Sequence, residues 1–372
     1  MPRSPQPVAD RLVDRLWWST SPLPSIARSL LAPVGAAYLV ASDLRNRLFD
    51  SGRLRSARSR IPVASVGNLT AGGTGKTPVS AWMANQLRTR GARPAIVMRG
   101  YGSDEALVHR VLAPATPVVI SASRAVGVAR AEAEHGCDVA VLDDAFQHRW
   151  VDRLVDIVLL GAEETLRPRR GLPAGPWRER LSAVRRATLA IVTRKSADIA
   201  DADRVLELLQ KSAPTLPTAV LFLAPGALVH SGMHDRGGDL SRVPLQAMAR
   251  ETVMVIAAIA NAKAFVDQVT RHAARVTAAL YPDHHPFSRA VAVSLAARAA
   301  QADRVVCTLK DLVKLAPLWP SDAPPLWYVS QEVIIERGAD ILDRQLTVLL
   351  NARPIANETA GRRRPPPDIH GH

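Results

Sequence analysis

From residue 61 onward, short apolar runs alternate with segments of helical period. The runs at 61–67, 94–99, 117–121, 138–143, 156–160 and 187–193 have the length and β-branched content of buried strands. Between them, segments such as 78–90 and 124–135 place Ala, Leu and Arg at helical spacing. This alternation predicts an α/β fold, a mostly parallel sheet flanked by helices. A second set of strands is expected near 218–224, 251–259, 276–281, 304–309 and 327–330. The Pro- and Gly-containing stretch around 212–240 separates the two sets. It sets a first domain at 61–215 and a smaller C-terminal α/β domain at 216–351. The tail at 352–372, ending GRRRPPPDIHGH, has the composition of a disordered segment.

Residues 1–60 break the pattern. They carry ten Arg against four Asp, yet 29–42, SLLAPVGAAYLVAS, holds no charge. A basic leader with an apolar helix is predicted. These fourteen residues fall short of the roughly 20 needed to span a bilayer. With Arg28, Arg45 and Arg47 around it and Trp17 and Trp18 upstream, the segment suits a membrane interface or a helix packed on the protein's own core.

Composition adds a sign to this picture. The 372 residues carry a formal net charge of +14, nearly all of the excess from Arg. Anionic partners are expected: nucleic acid, an anionic membrane surface or a phosphorylated substrate. Charge alone does not separate these from a general Arg bias, but the absence of interleaved aromatic and basic residues argues against nucleic acid. Cys137 and Cys307 lie far apart in apolar runs and fit buried thiols better than a disulfide or a metal site. The first eighteen residues mix Arg with Asp and lack an apolar core, so a reducing, cytosolic setting is expected. The sequence leaves the oligomeric state open.

The stretch SVGNLTAGGTGKTP, residues 65–78, changes the picture most. The strict phosphate loop, G-x-x-x-x-G-K-[ST], has Gly where this chain has Thr70. Strand, Gly-rich turn and helix nevertheless occur in the required order. Gly72, Gly73 and Gly75, with Thr74 between them, let backbone N–H groups face an anion at a helix N-terminus. Lys76 can reach the β/γ-phosphates and Thr77 can place its hydroxyl on magnesium. A guanine-reading N-K-x-D is missing, since Lys195 and Asp198 in TRKSAD are wrongly spaced, and the extra Lys of partitioning ATPases is Ala71. An enzyme is favoured over a switch.

Further along, DVAVLDDAFQH (138–148) sets Asp143 and Asp144 at the end of an apolar strand, where a phosphate-loop fold meets its metal. Both carboxylates can face the site only if the strand ends there. Gln147 and His148 follow, able to contact metal-bound water or substrate. YPDHHPFS (281–288) pairs a carboxylate with imidazole, an arrangement suited to activating a hydroxyl or to a plain polar turn. RGYGSDE (99–105) offers Arg99 for phosphate and Asp104 or Glu105 as a base.

Taken together, SVGNLTAGGTGKTP, RGYG, VLDDAFQH, GLPAGPWRE, YPDHHPFS and TLKDLVKL resemble the tetraacyldisaccharide 4'-kinases of lipid A biosynthesis over roughly residues 25–345. The loop with Thr70 is that family's own variant. The resemblance implies a P-loop NTPase-type fold and transfer of the ATP γ-phosphate to the 4'-hydroxyl of a lipid-linked glucosamine disaccharide 1-phosphate. It implies ATP and magnesium as cofactors, and peripheral attachment to the cytoplasmic face of the inner membrane through the leader. By the same resemblance, Thr70, Gly72, Gly73, Thr74, Gly75, Lys76 and Thr77 bind nucleotide. Thr77, Asp143, Asp144 and Gln147 hold the metal, with Asp144 also catalytic. Asp104 and His284 form the dyad that activates the hydroxyl, and Arg99, His148 and Asp283 contact substrate. The chain departs from the family in several places. It runs from Gly102 directly into Ser103-Asp104-Glu105, where members have some twenty or more residues. Ala106, Ala145, Ala258, Ala262 and Arg180 replace usual Pro or Gly residues. A kinase for another membrane-associated sugar, or a nucleotide-dependent surface regulator without transfer activity, are the alternatives.

Overall fold

Every apolar run singled out above forms a strand of one twelve-stranded sheet in the computed structural model, which describes residues 13, 15–100, 103–230 and 242–354. The strands are β1 (Val63–Asn68), β2 (Pro94–Met98), β3 (Val118–Ile120), β4 (Val139–Asp143), β5 (Val155–Gly161) and β6 (Leu189–Arg194). Next come β7 (Thr218–His230), β8 (Arg242–Val243), β9 (Thr252–Ala257), β10 (Arg275–Leu280), β11 (Arg304–Cys307) and β12 (Leu326–Arg337). Their order is β10-β9-β11-β12-β7-β6-β5-β1-β4-β2-β3, with β8 on β7. β1, β2, β4 and β5 are buried along their whole length, which is why their sequences are continuous rather than alternating apolar runs.

The helices are α1 (Pro22–Asp50), α2 (Lys76–Thr89), α3 (Ser103–Leu112), α4 (Arg124–His135), α5 (Ala162–Thr165) and α6 (Ile199–Ser212). In the C-terminal half they are α7 (Ala262–Thr270), α8 (Arg289–Ala299), α9 (Leu309–Leu315) and α10 (Ala339–Asn351). α4 is bounded as its residues dictate: the Ser123 side chain accepts from the Val126 N–H, and Gly136 closes the helix at φ 63°. The expected tail lies, from residue 355 on, outside the described residues, as do Tyr101, Gly102 and 231–241.

Pairing is parallel from β7 through β6, β5, β1, β4 and β2 to β3, and parallel again from β12 through β11 and β9 to β10. The two groups meet in the antiparallel pair β7–β12, a long ribbon whose N-terminal end of β7 pairs with β6 and whose N-terminal end of β12 pairs with β11. Each group therefore points its strands along the ribbon toward the other. The carboxyl ends of both groups, where α/β folds gather ligands, face one another across a cleft.

The uncharged run at 29–42 extends in both directions into the 29-residue α1, long and apolar enough to cross a membrane by length and composition. The fourteen-residue limit read from the sequence is thereby corrected: Pro22 and Pro24 occupy the first turn, and the charged C-terminal end continues the helix to Asp50. One side rests on the protein. A Cβ on Gly35 would lie 2.7 Å from the Gly171 carbonyl oxygen, and Leu39 and Phe49 are buried. Arg45 and Asp43 bond to Glu179 and Arg180 at 3.1 and 2.8 Å. Leu23, Ile26, Leu30 and Val34, spaced three and four apart, form one exposed face, with Leu23 80% and Leu30 74% exposed. Cys137 and Cys307 are both free and buried.

Candidate active site

β1 delivers its chain into the Gly-rich turn at the cleft, and α2 leaves from it. Gly75 stands just before the helix at φ 86°, and a Cβ there would collide with Leu223 Cδ1, so only glycine fits. Inside the turn, the Asn68 Nδ2 donates to Thr74 Oγ1 at 2.9 Å, and the Thr193 hydroxyl donates to the Thr74 carbonyl at 2.9 Å. Thr70 is buried, and its backbone bridges to Trp177 of the GLPAGPWRE segment. Ala71 N–H donates to the Pro176 carbonyl at 2.7 Å and Arg178 N–H to the Leu69 carbonyl at 2.8 Å. Where the strict motif has Gly, this loop is stitched to a second segment. Lys76 Nζ donates to the Gly72 carbonyl at 3.3 Å and lies 3.7 Å from Asp144 Oδ1.

β4 ends at Asp143, as two converging carboxylates require, and no helix follows. The left-handed residue of the turn is Asp144 itself, at φ 46°, not Ala145 in the place of the usual glycine. Asp143 is buried. Its Oδ1 accepts from the Ser80 hydroxyl (3.0 Å) and the Asp144 N–H (2.9 Å), and its Oδ2 lies 2.7 Å from His109 Nε2 and 3.4 Å from the Thr77 hydroxyl. Burial pushes this carboxyl up, but the His109 and Ser80 hydrogen bonds and the Lys76 charge outweigh it and hold the group below its usual range. Asp144 is met by Lys76 and by Arg178 Nη1, 3.2 Å away. The Gln147 amide nitrogen is committed to the Asn68 carbonyl at 2.6 Å, leaving its oxygen as the free acceptor.

A hydroxyl, two carboxylates and an amide oxygen make a hard donor set that suits magnesium. Among the described residues no group of three or more His, Cys, Asp and Glu side chains forms a metal cage.

Across the cleft, the turn after β10 presents His284, whose Nδ1 lies 3.0 Å from Asp104 Oδ2 on the first turn of α3. Although the chain runs from Gly102 directly into Ser103-Asp104-Glu105, the two side chains meet. The hydrogen bond from His284 holds Asp104 down at about 2, and the same bond raises His284 above its ordinary value. His284 is left-handed at φ 56°, a conformation supported by its own N–H donating to Asp283 Oδ1 at 3.0 Å. Asp283 therefore shapes the turn. Glu105 is raised by burial and lies 4.0 Å from Lys310 on α9. His148 is lowered to about 4 by burial and by the charges of Arg124, Arg153, Arg99 and Arg45, which favour the neutral ring.

Sequence reasoning assigned no part to several of these groups. Arg178 lies in a quoted motif, and its neighbour Trp177 marks the packing role. Arg124 is buried and donates to the Asp143 carbonyl at 3.1 Å. Lys195, set aside as a failed guanine motif, donates from Nζ to the Gly73 carbonyl, and Glu163 accepts the N–H groups of Lys195, Ser196 and Ala197. His109 carried no sequence signal at all.

The chain matches the family profile described as tetraacyldisaccharide-1-P 4'-kinase over residues 27–350. It is 32% identical to the tetraacyldisaccharide 4'-kinase of Anaeromyxobacter sp. strain Fw109-5, covering 94% of this chain and 100% of the relative. It is also 32% identical to that of Aromatoleum aromaticum, covering 91% and 98% respectively. Among solved structures it is similar to LpxK from Aquifex aeolicus in complex with ATP, with a TM-score of 0.67 and 25% identity, covering 88% of this chain and 100% of the other.

Proposed function

Since the chain belongs to the tetraacyldisaccharide-1-P 4'-kinase family, we propose that its cleft carries out that transfer with Asp104 and His284 as the base dyad and magnesium at Asp143 and Asp144. The enzyme is an ATP-dependent phosphotransferase of lipid A biosynthesis. The observation that carries the assignment is the 3.0 Å contact between Asp104 and His284. With Nδ1 held by Asp104, His284 Nε2, 3.9 Å from Asp283 Oδ1, takes the proton of the acceptor hydroxyl. The hydroxyl oxygen bonds to the γ-phosphorus, the bond to the β-phosphate oxygen breaks, and ADP leaves with that electron pair. Lys76, Arg178 and the loop N–H groups neutralise and position the charge spread over the phosphoryl oxygens. Thr77, Asp143, Asp144 and the Gln147 oxygen would hold magnesium, which when bound neutralises the charge on the β/γ-phosphates. Exposed Arg99, whose charge lowers the pKa of His148, supports binding of the anionic acceptor.

Labelled γ-phosphate should pass from ATP to the purified disaccharide 1-phosphate lipid in detergent. No transfer by a folded, ATP-binding protein would overturn the acceptor assignment.

We further read α1 as the surface that seats the enzyme on the cytoplasmic face of the inner membrane. Its apolar face is exposed on one side and anchored by Arg45 and Asp43 on the other. Each buried Leu or Val is worth about 1.5–3 kcal/mol and about 1.4 kcal/mol is a tenfold change in affinity. Leu30→Glu with Val34→Glu is therefore expected to weaken sedimentation with anionic vesicles at least about tenfold, with ATP binding unchanged. Vesicle affinity equal to wild type would remove α1 from the membrane contact.

A further inference from the structure

α3 carries one side chain that the transfer reading leaves unused. His109 is fully buried, with Nε2 2.7 Å from Asp143 Oδ2 and Nδ1 without a hydrogen-bond partner among the described residues. An ionised carboxylate can only accept, so Nε2 carries the proton and donates it. Leaving the other nitrogen unpaired in the interior costs about 1–3 kcal/mol, a cost an aliphatic side chain would not carry. Packing alone therefore gives no reason for an imidazole at this position. Its bond to Asp143 does.

The surroundings say what that bond controls. The four contacts to the Asp143 carboxylate come from Thr77 and Ser80 on α2, from the turn at Asp144, and from His109 on α3. α3 packs between α2 and α9, and at its first turn it carries Asp104, the partner of His284. One ten-residue helix thus touches the phosphate-side carboxylate with one side chain and the base with another. Short, rigid elements of this kind fix distances between groups that must act together.

We propose that His109 is a positioning residue for phosphoryl transfer: its Nε2–H holds the Asp143 carboxylate in the orientation that serves Thr77 and magnesium, and through α3 it sets the spacing between that carboxylate and the Asp104–His284 dyad. The proposal rests on Asp143 being a metal carboxylate. Groups that orient metal ligands from behind are worth about 10–100-fold in metal affinity or activity.

The test compares His109→Leu, which keeps bulk and removes the donor, with His109→Gln, whose amide nitrogen replaces Nε2, in the full-length protein. Binding of Mn²⁺ in the presence of ADP is followed by the Mn²⁺ EPR signal, and kcat, the KM for ATP and the magnesium concentration for half-maximal rate are measured. Expected for the Leu variant are about tenfold weaker Mn²⁺ binding and about tenfold lower kcat, with the KM for ATP moved less than about twofold. The Gln variant should return to within about threefold of wild type. Unchanged Mn²⁺ binding and kcat in the Leu variant, or Leu and Gln variants equally impaired, would overturn the proposal. If the Leu variant does not fold, His109→Asn, too short to reach Asp143, takes its place beside Gln, and equal behaviour of those two would overturn it. Mn²⁺ binding lost in the Leu variant while the wild type transfers nothing to the lipid would uphold the role of His109 and overturn the acceptor instead.

Discussion

Lys76→Ala is expected to lower phosphate transfer by about a thousandfold or more, the largest effect of any single substitution in the phosphate loop. Its ammonium lies 3.3 Å from the Gly72 carbonyl and 3.7 Å from Asp144, so it is already held between the loop and the Asp144 carboxylate. Only 16% of its side chain is exposed, and in a site this poorly solvated a charge facing the transferred group is screened little. Arg178 is engaged with Asp144. Lys76→Arg should fail as well, since a planar guanidinium does not fit a position shaped for a compact cation. Transfer of labelled phosphate, measured beside binding of a fluorescent ADP analogue, checks this. An Ala variant retaining a tenth of wild-type kcat would remove Lys76 from the chemistry.

The second large effect concerns His284. Replacing it with Ala should lower kcat about 10²–10³-fold, the usual contribution of a positioned base. The pH profile gives a sharper criterion. In the proposed mechanism the neutral imidazole accepts the proton, so the rate should rise with pH through the pKa of His284. The Asp104 bond raises that pKa, placing the rising limb above pH 6.5 in the wild type. Asp104→Asn removes the charge that favours imidazolium, so the limb should move to lower pH while the plateau falls. A limb that does not move would separate the pair functionally despite their contact. Stability follows the same signs. For His284 the pair's contribution is complete below pH 6.5 and is lost as pH rises through the raised value. For Asp104 it is complete above 3.8 and is lost as pH falls toward about 2.

Much of this could be read in the chain because the central strands are buried on both faces and leave unbroken apolar runs. The ribbon was harder: β12 was expected to end at 330 but continues to Arg337 through Gln331, Glu332 and Glu336. Half-exposed, polar residues of that kind look like a loop until β7 is set beside them. α3 was missed because Ser103-Asp104-Glu105 directly after glycines looks like a turn, and those acidic residues in fact favour a helix start. The phosphate loop and the two aspartates were legible from local order alone. His109 and Arg178 were not, because their roles depend on partners 34 positions away. No local spacing encodes such a distance.

Asp144 and His284 are the non-glycine residues found with positive φ among the described residues, at 46° and 56°. Left-handed backbone at a residue with a Cβ costs about 1–2 kcal/mol, and glycine would relieve it. Selection for sturdiness and selection for chemistry thus oppose each other at the same two codons. A redesign guided by backbone dihedrals alone would write glycine at both, and the more heat-resistant protein it produced would have lost the carboxylate and the imidazole on which the proposed mechanism rests.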